Sequence, residues 1–267
     1  MKISIIKSIF CPTDKYFNIS CNAIKNLCEL INNNIDNSLN FDITIIGWIK
    51  QQHYGDDIIK IVDDNINNNS NIRYILWNLN YGKYYMFNKL QEIIDNNTSY
   101  ILYADHDILF NIDHIKLFSD LIALYQYKIN NKNIGLIALN HLEDNRHKIS
   151  LYCNENKITI NDTTLYYISN NDYGSMACGC IFLSYECFKL LNKLDNISVY
   201  GLDDFNIIKK INDNNYISIL TPHISIIHPF DENVEYIKWK ENTVKLLIEN
   251  KQFDYYKSLE SSINFWR

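Results

Sequence analysis

"SYILYADHDILF" (Ser99–Phe110) is an apolar run fit for a buried strand that breaks into Asp105, His106 and Asp107 before apolar residues resume. An ionised carboxylate taken out of water without a partner is heavily penalised. The run must therefore deliver its acids to something that compensates them. Side chains alternate along a strand, so Asp105 and Asp107 are expected on one side and His106 on the other. Two carboxylates side by side repel, and a divalent cation relieves that repulsion. Ligands of open α/β sheets collect at the carboxyl ends of strands, where this pair falls. Manganese or magnesium, bound by hard oxygen ligands and bridging to phosphates, suits such a site.

Around this stretch the hydrophobic pattern alternates between strand and helix. "KISIIKSIF" (Lys2–Phe10), "FDITIIGWI" (Phe41–Ile49) and "IRYILWN" (Ile72–Asn78) read as strands. Helices are expected over Asn18–Ile31, Asp56–Asp64 and Tyr84–Ile94 between them, and over Asp113–Tyr127 after the acids. The alternation favours a mainly parallel sheet covered on both faces. Further on come a strand at Ile134–Asn140 and a polar excursion to about Asp172. Within that excursion "KITINDTTLYYI" reads as a hairpin turning at Asn161-Asp162. Then follow a strand at Cys178–Ser184, helices at Tyr185–Leu194 and Gly201–Ile211, one or two short strands within Ile217–Phe230, and a mostly helical tail over Asn233–Phe265. No internal repeat or linker interrupts the chain.

Composition narrows the function. The 267 residues carry a net charge of −6, which argues against a protein that grips nucleic acid through a broad basic face. Its seven cysteines lack the paired spacing of a zinc site and read as reduced thiols. No apolar run reaches the ~18 residues of a membrane span, and no secretory leader opens the chain. A cytoplasmic protein is expected, in the host cytoplasm if the source is viral. The abundance of Asn, Ile, Lys and Tyr is that of an AT-rich genome, and the Asn runs read as loop filler.

Two further groups could do chemistry. Asp203 and Asp204 open a helical pattern, where an N-cap and a first-turn acid would justify both. A second acidic pair downstream of a metal-type pair also suits a metal-assisted transfer, in which one group takes a proton from the nucleophile. His223 and His228 flank "ISII", and a neutral imidazole at a strand end can complete an oxygen-rich metal site. His228, ahead of a polar loop, is the better placed.

In this order the three constellations resemble the glycosyltransferases of the GT-A fold, particularly the family 2-like group, over roughly Lys2 to Phe230. The resemblance rests on Pro12-Thr13 after the first strand, Asn80-Tyr81-Gly82 with Asn88 after the third, "YILYADHD", "GSMACGCIFLS" and "YGLDDFN". It implies a GT-A, Rossmann-like α/β fold at 1–230, with a nucleotide-binding half at 1–110 and an acceptor half at 111–230. The helical tail at 231–267 would pack on the same domain. It further implies a hexosyltransferase-type enzyme, inverting, that uses Mn2+ or Mg2+ and a nucleotide-diphosphate sugar, a UDP-sugar first, with a glycan, lipid or protein as acceptor. Asp107 and His228 would hold the metal, and Asp105 would serve metal and ribose. Asp204 would be the base, with Pro12, Thr13, Asn80, Gly82, Lys83, Asn88 and Asp203 on the substrate side. The family usually places at the end of the second strand an Asp that reads uracil, and Gly47-Trp48 stands there instead; Trp48 could stack on the base or belong to the core. The rival readings are a nucleotidyltransferase and a catalytically silent sugar- or nucleotide-binding module.

Overall fold

The computed structural model describes the chain except residues 67–69, 143–155, 161, 169–175, 193–198, 202, 230, 251–254 and 267. Strands β1 (Lys2–Cys11), β2 (Asn40–Ile49), β3 (Asn71–Trp77) and β4 (Tyr100–Ala104) are joined through helices α1 (Asp14–Asn33), α2 (Gln52–Asn65) and α3 (Gly82–Ile93). After them come β5 (Leu109–Phe110), α4 (Leu117–Leu124), β6 (Lys128–Ile129), β7 (Lys132–His141), β8 (Lys157–Ile160), β9 (Thr163–Tyr167) and β10 (Cys180–Ser184). The chain continues through α5 (Tyr185–Leu190), α6 (Asp203–Asp213), β11 (Tyr216–Ile227), α7 (Val234–Asn250) and α8 (Tyr255–Phe265).

The sheet runs β3-β2-β1-β4-β10-β7-β11-β9-β8. Its first half is parallel, β10 is antiparallel to both β4 and β7, and β11 is parallel to β7. The α/β class expected from the sequence is the one observed: a mixed, mostly parallel sheet with helices on its faces. Alternation along the buried strands feeds two apolar layers. Ile3, Ile5 and Ile9 of β1 pack with Ile24, Leu27 and Phe118 on one face, and Ile6 packs with Phe87, Tyr103 and Ile207 on the other. Each such side chain removed from water contributes roughly 1.5–3 kcal/mol.

Several boundaries differ from the sequence reading, for local reasons. Helix α1 starts at Asp14 and α2 at Gln52, earlier than expected, because Tyr54 stacks on Phe17 with ring centroids 4.4 Å apart and donates to Asp14. Helix α4 is shorter than expected. The Asn111 side chain accepts the Asp113 N–H at 3.1 Å, forming a turn where the helix was to begin. Strand β11 is the single strand among the two alternatives expected, though longer, and its ladder to β7 shifts register between Thr221 and Ser225, where Pro222 has no N–H to donate. The hairpin β8–β9 turns as expected, with Asp162 at φ 62°, and joins the sheet through β9 and β11. Most of the polar excursion lies outside the described residues, as does Cys153. The six described cysteines are free and buried.

The tail lies over the ends of β1 and β2. Tyr236 of α7 stacks on Phe10 at 5.7 Å, and Trp266, after α8, meets Phe10, Tyr16 and Trp48 edge-on at 5.4, 5.6 and 6.1 Å. Lys50 Nζ donates to the Trp266 carbonyl at 2.7 Å, and the Tyr16 hydroxyl to Asp231 Oδ2 at 2.9 Å. Among the described residues no helix is long and apolar enough to cross a membrane.

Candidate functional site

Strand β4 ends at Ala104, so the acids of the opening stretch sit in a turn and the strand rule for their faces does not apply. Lys7, a charge in the middle of β1 and fully buried, makes that turn. Its ammonium donates to the Asp105 carbonyl and, at 3.0 Å, to the Ile108 carbonyl. Burial pushes the Lys7 pKa down to about 8, against the pull of Asp107 and Asp105. The turn sends the two carboxylates to different partners.

Asp105 goes to the α3 side. Its Oδ1 accepts from the Tyr103 hydroxyl, and its Oδ2 lies 3.3 Å from Lys83 Nζ. The same ammonium is 3.0 Å from Asp203 Oδ2 and 3.8 Å from Asp204 Oδ1. Lys83 can do this because it stands in the first turn of α3 while the acids open α6. Gly82, at φ +79°, lets the chain enter α3 against residue 199, where a Cβ would stand 2.5 Å from the Val199 carbonyl oxygen. Burial would lower the Lys83 pKa, but Asp105, Tyr103 and the two α6 acids together raise it well above its ordinary value. Gly179 serves the same corner: a Cβ there would come 3.4 Å from Asp105 Oδ2 and 3.1 Å from His141 Cε1.

Asp204 is pushed up to about 7, first by loss of surrounding water and next by Asp203, against the pull of Lys83. With 39% of its side-chain surface still exposed, solvent screens part of that push. Asp204, the second residue of α6, is thus held as a weak acid next to a cation, the condition of a group that exchanges a proton near neutrality.

Asp107 turns the other way. Its Oδ2 is 3.6 Å from His228 Nε2, and its buried Oδ1 has no hydrogen-bond partner. Burial would raise its pKa, but His106, His228 and Lys7 outweigh that and hold the carboxyl below its usual range. The His228 ring stacks on His141, at the end of β7, with centroids 5.0 Å apart. Among the described residues no group of three or more His, Cys, Asp or Glu side chains is arranged to hold a metal ion. The expected ligand set is therefore split: Asp107 and His228 come together, and Asp105 joins Lys83. A low-pKa carboxylate with an oxygen that has no hydrogen-bond partner, beside an imidazole, is a donor pair that would suit Mn2+ or Mg2+.

Lys83, Asp105 and Asp203 of the first group line a cleft at the carboxyl ends of β1 to β4, about 770 Å³ counting space open to solvent, whereas Asp204, Asp107 and His228 are not in its lining. Of the residues expected on the substrate side, Asn80, Gly82, Lys83, Asp105 and Asp203 line it. Asn80 Oδ1 accepts from the Gly82 N–H at 3.2 Å, and its Nδ2 donates to Ser262 Oγ at 3.4 Å. Pro12 and Thr13 are not in the lining; Ser8, Ile9 and Phe10 take that place, because β1 runs on to Cys11 and Thr13 becomes the N-cap position of α1. Asn88 lies two turns into α3, away from the lining. Trp48 is 93% buried against Phe10 and Trp266 yet lines the cleft, joined by Trp77. His223 is exposed. The sequence reading passed over Lys7, Tyr103, His141, Tyr236 and Lys240. Only Lys7 carried a signal, a cation inside an apolar strand.

Neither a protein-family model nor a curated protein sequence matches the chain. Among solved structures the chain is similar to the inositol-1-phosphate CTP transferase from T. maritima, at 12% identity over 89% of this chain and 94% of that one, with a TM-score of 0.49. It is similar also to mouse xyloside xylosyltransferase 1, at 10% identity over 80% and 82% with a TM-score of 0.45. The catalytic domain of Drosophila beta1,4galactosyltransferase 7 is 13% identical over 86% and 71%, with a TM-score of 0.45.

Proposed function

We propose that this chain is a glycosyltransferase of the GT-A type that moves a sugar from a nucleoside-diphosphate sugar to an acceptor hydroxyl or amine. The observation that carries the reading is the junction of Asp105, Lys83, Asp203 and Asp204 at the edge of an aromatic-lined cleft on the carboxyl ends of parallel strands. Aromatic walls suit a nucleobase, and Asp105, near the α3 entrance, suits the ribose hydroxyls. Asp204, pushed up to about 7 and partly exposed, takes the acceptor proton as the new glycosidic bond forms, and Lys83 holds it in place. Asp107 and His228 would hold a divalent cation, Mn2+ or Mg2+, which supplies stabilisation of the charge that develops on the departing diphosphate.

The test is a panel of nucleotide sugars incubated with Mn2+, with and without chelator, in which the nucleotide product is identified. Release of nucleoside diphosphate with loss of the sugar supports the reading, and Asp107→Ala is expected to abolish it. Release of pyrophosphate with transfer of the nucleotidyl group would replace it by nucleotidyl transfer. Undiminished turnover in chelator would remove the metal from the scheme.

A further inference from the structure

We infer that Tyr103, the second-to-last residue of β4, is a positioning residue for the donor: it fixes the direction of Asp105, so that this carboxylate receives the two adjacent ribose hydroxyls of the nucleotide. This deepens the donor reading above and rests on it. Tyr103 is only 1% exposed, yet it lines the cleft. Its ring packs on Phe87 of α3 with centroids 5.1 Å apart, inside the apolar layer that also holds Ile6 and Ile207. A ring enclosed in this way carries its hydroxyl to a fixed place, and there the hydroxyl donates to Asp105 Oδ1. The centroid of the same ring is 5.2 Å from Lys83 Nζ, within the range of a cation–π contact. One buried side chain therefore touches both members of the Asp105–Lys83 pair.

Asp105 needs that support. It lies in the turn past the end of β4, and the torsion that orients a carboxylate is broad. Lys83, its partner at Oδ2, is a point charge on a flexible stem, divided among three acids at 3.0, 3.3 and 3.8 Å. A lysine shared in this way balances charge without setting direction. The phenol sets direction, because its ring is held by the core. A carboxylate has about four acceptor positions, and Tyr103 and Lys83 take one on each oxygen. Each oxygen can accept once more, and Asp105 lines the cleft with 25% of its side-chain surface exposed. Two acceptors side by side match two adjacent hydroxyl donors, the pattern of the ribose 2′,3′-diol.

The test is calorimetric titration of wild type and Tyr103→Phe with UDP, CDP, GDP and ADP and with their 2′,3′-dideoxy forms, all in Mn2+. The Phe variant keeps the ring against Phe87 and under Lys83 and removes only the hydroxyl. For the diphosphate that wild type binds best, Tyr103→Phe is expected to weaken binding roughly five- to twenty-fold, the coupling usual within one hydrogen-bond network. Its affinity for the dideoxy form should stay within about two-fold of wild type, because that ligand has no diol for Asp105 to receive. A merely structural role would lower both affinities alike. If the Phe variant does not fold, 4-fluorophenylalanine installed at the same position, which fills the space of the hydroxyl and cannot donate, is read the same way. Unchanged affinity for the ribose form, an equal loss on both forms, or wild-type protein that binds the two forms equally overturns the role of Tyr103 and leaves the donor reading standing. Wild-type protein that binds none of the diphosphates overturns both.

Discussion

Replacing Lys83 by Met tests the junction on which the candidate site depends. The Lys83 side chain is only 15% exposed, and its ammonium faces carboxylate oxygens at 3.0, 3.3 and 3.8 Å. At an effective dielectric constant of about 20, each contact carries roughly 4 to 6 kcal/mol of gross Coulomb attraction. Most of that is offset by the cost of drying the charges, and the contact to the more exposed Asp204 is further screened. Breaking such a cluster by deleting its single cation leaves uncompensated buried carboxylates, which costs about 3–5 kcal/mol. For a chain of this size that is a fall of roughly 6 to 20 °C in melting temperature. The loss should also depend on pH. Without Lys83 the Asp204 carboxyl, already pushed up to about 7, loses the charge that pulls it down, so its contribution is present when it is protonated and lost as pH rises through its folded value. The deficit of Lys83→Met against wild type should therefore be largest near pH 8 and shrink toward pH 5. Guanidinium unfolding of both proteins at several pH values, followed by tryptophan fluorescence and far-UV circular dichroism, measures it. A loss under about 1 kcal/mol at pH 8, or a deficit that does not change with pH, would refute the account of Lys83 as the keystone of these acids.

Three other substitutions have definite outcomes. Asp204→Asn should lower turnover by about two to four orders of magnitude with donor affinity kept; turnover within a few-fold of wild type would remove it as the base. Because its folded pKa, about 7, lies above its ordinary value of 3.8, wild type should shed stability as pH rises from about 4 through 7, and the Asn variant should lack that component. Gly82→Ala should cost roughly 1–3 kcal/mol, since φ is +79° and the new Cβ would meet the Val199 carbonyl at 2.5 Å; denaturation showing no loss would mean that α3 enters its turn in another way. Lys7 has a folded pKa of about 8, below its ordinary value of 10.5, so the unfolded chain binds more protons between these values and wild type should gain stability as pH rises through that window. Lys7→Met should show no such gain, and parallel pH profiles for the two proteins would contradict the buried charge.

The sequence by itself determined the elements and their class. Alternating apolar residues in β1 to β4 and helical spacing in α1 and α3 are local properties, and each reports its own burial whatever stands across from it. The same holds for the hairpin at Asp162 and for the acids that open α6. Partners were decided only by the tertiary structure. Whether Asp105 met a cation, a tyrosine or a lysine depended on where β4 stopped, and Lys7, nearly a hundred residues away, stopped it by taking the Asp105 and Ile108 carbonyls. Asp203 and Asp204 read equally well as caps until α3 put Lys83 between them and Asp105. The tail was legible as helix but not in where it packs: the place of Tyr236 and Trp266 on Phe10 and Trp48 is fixed by packing between ends of the chain that no local pattern connects.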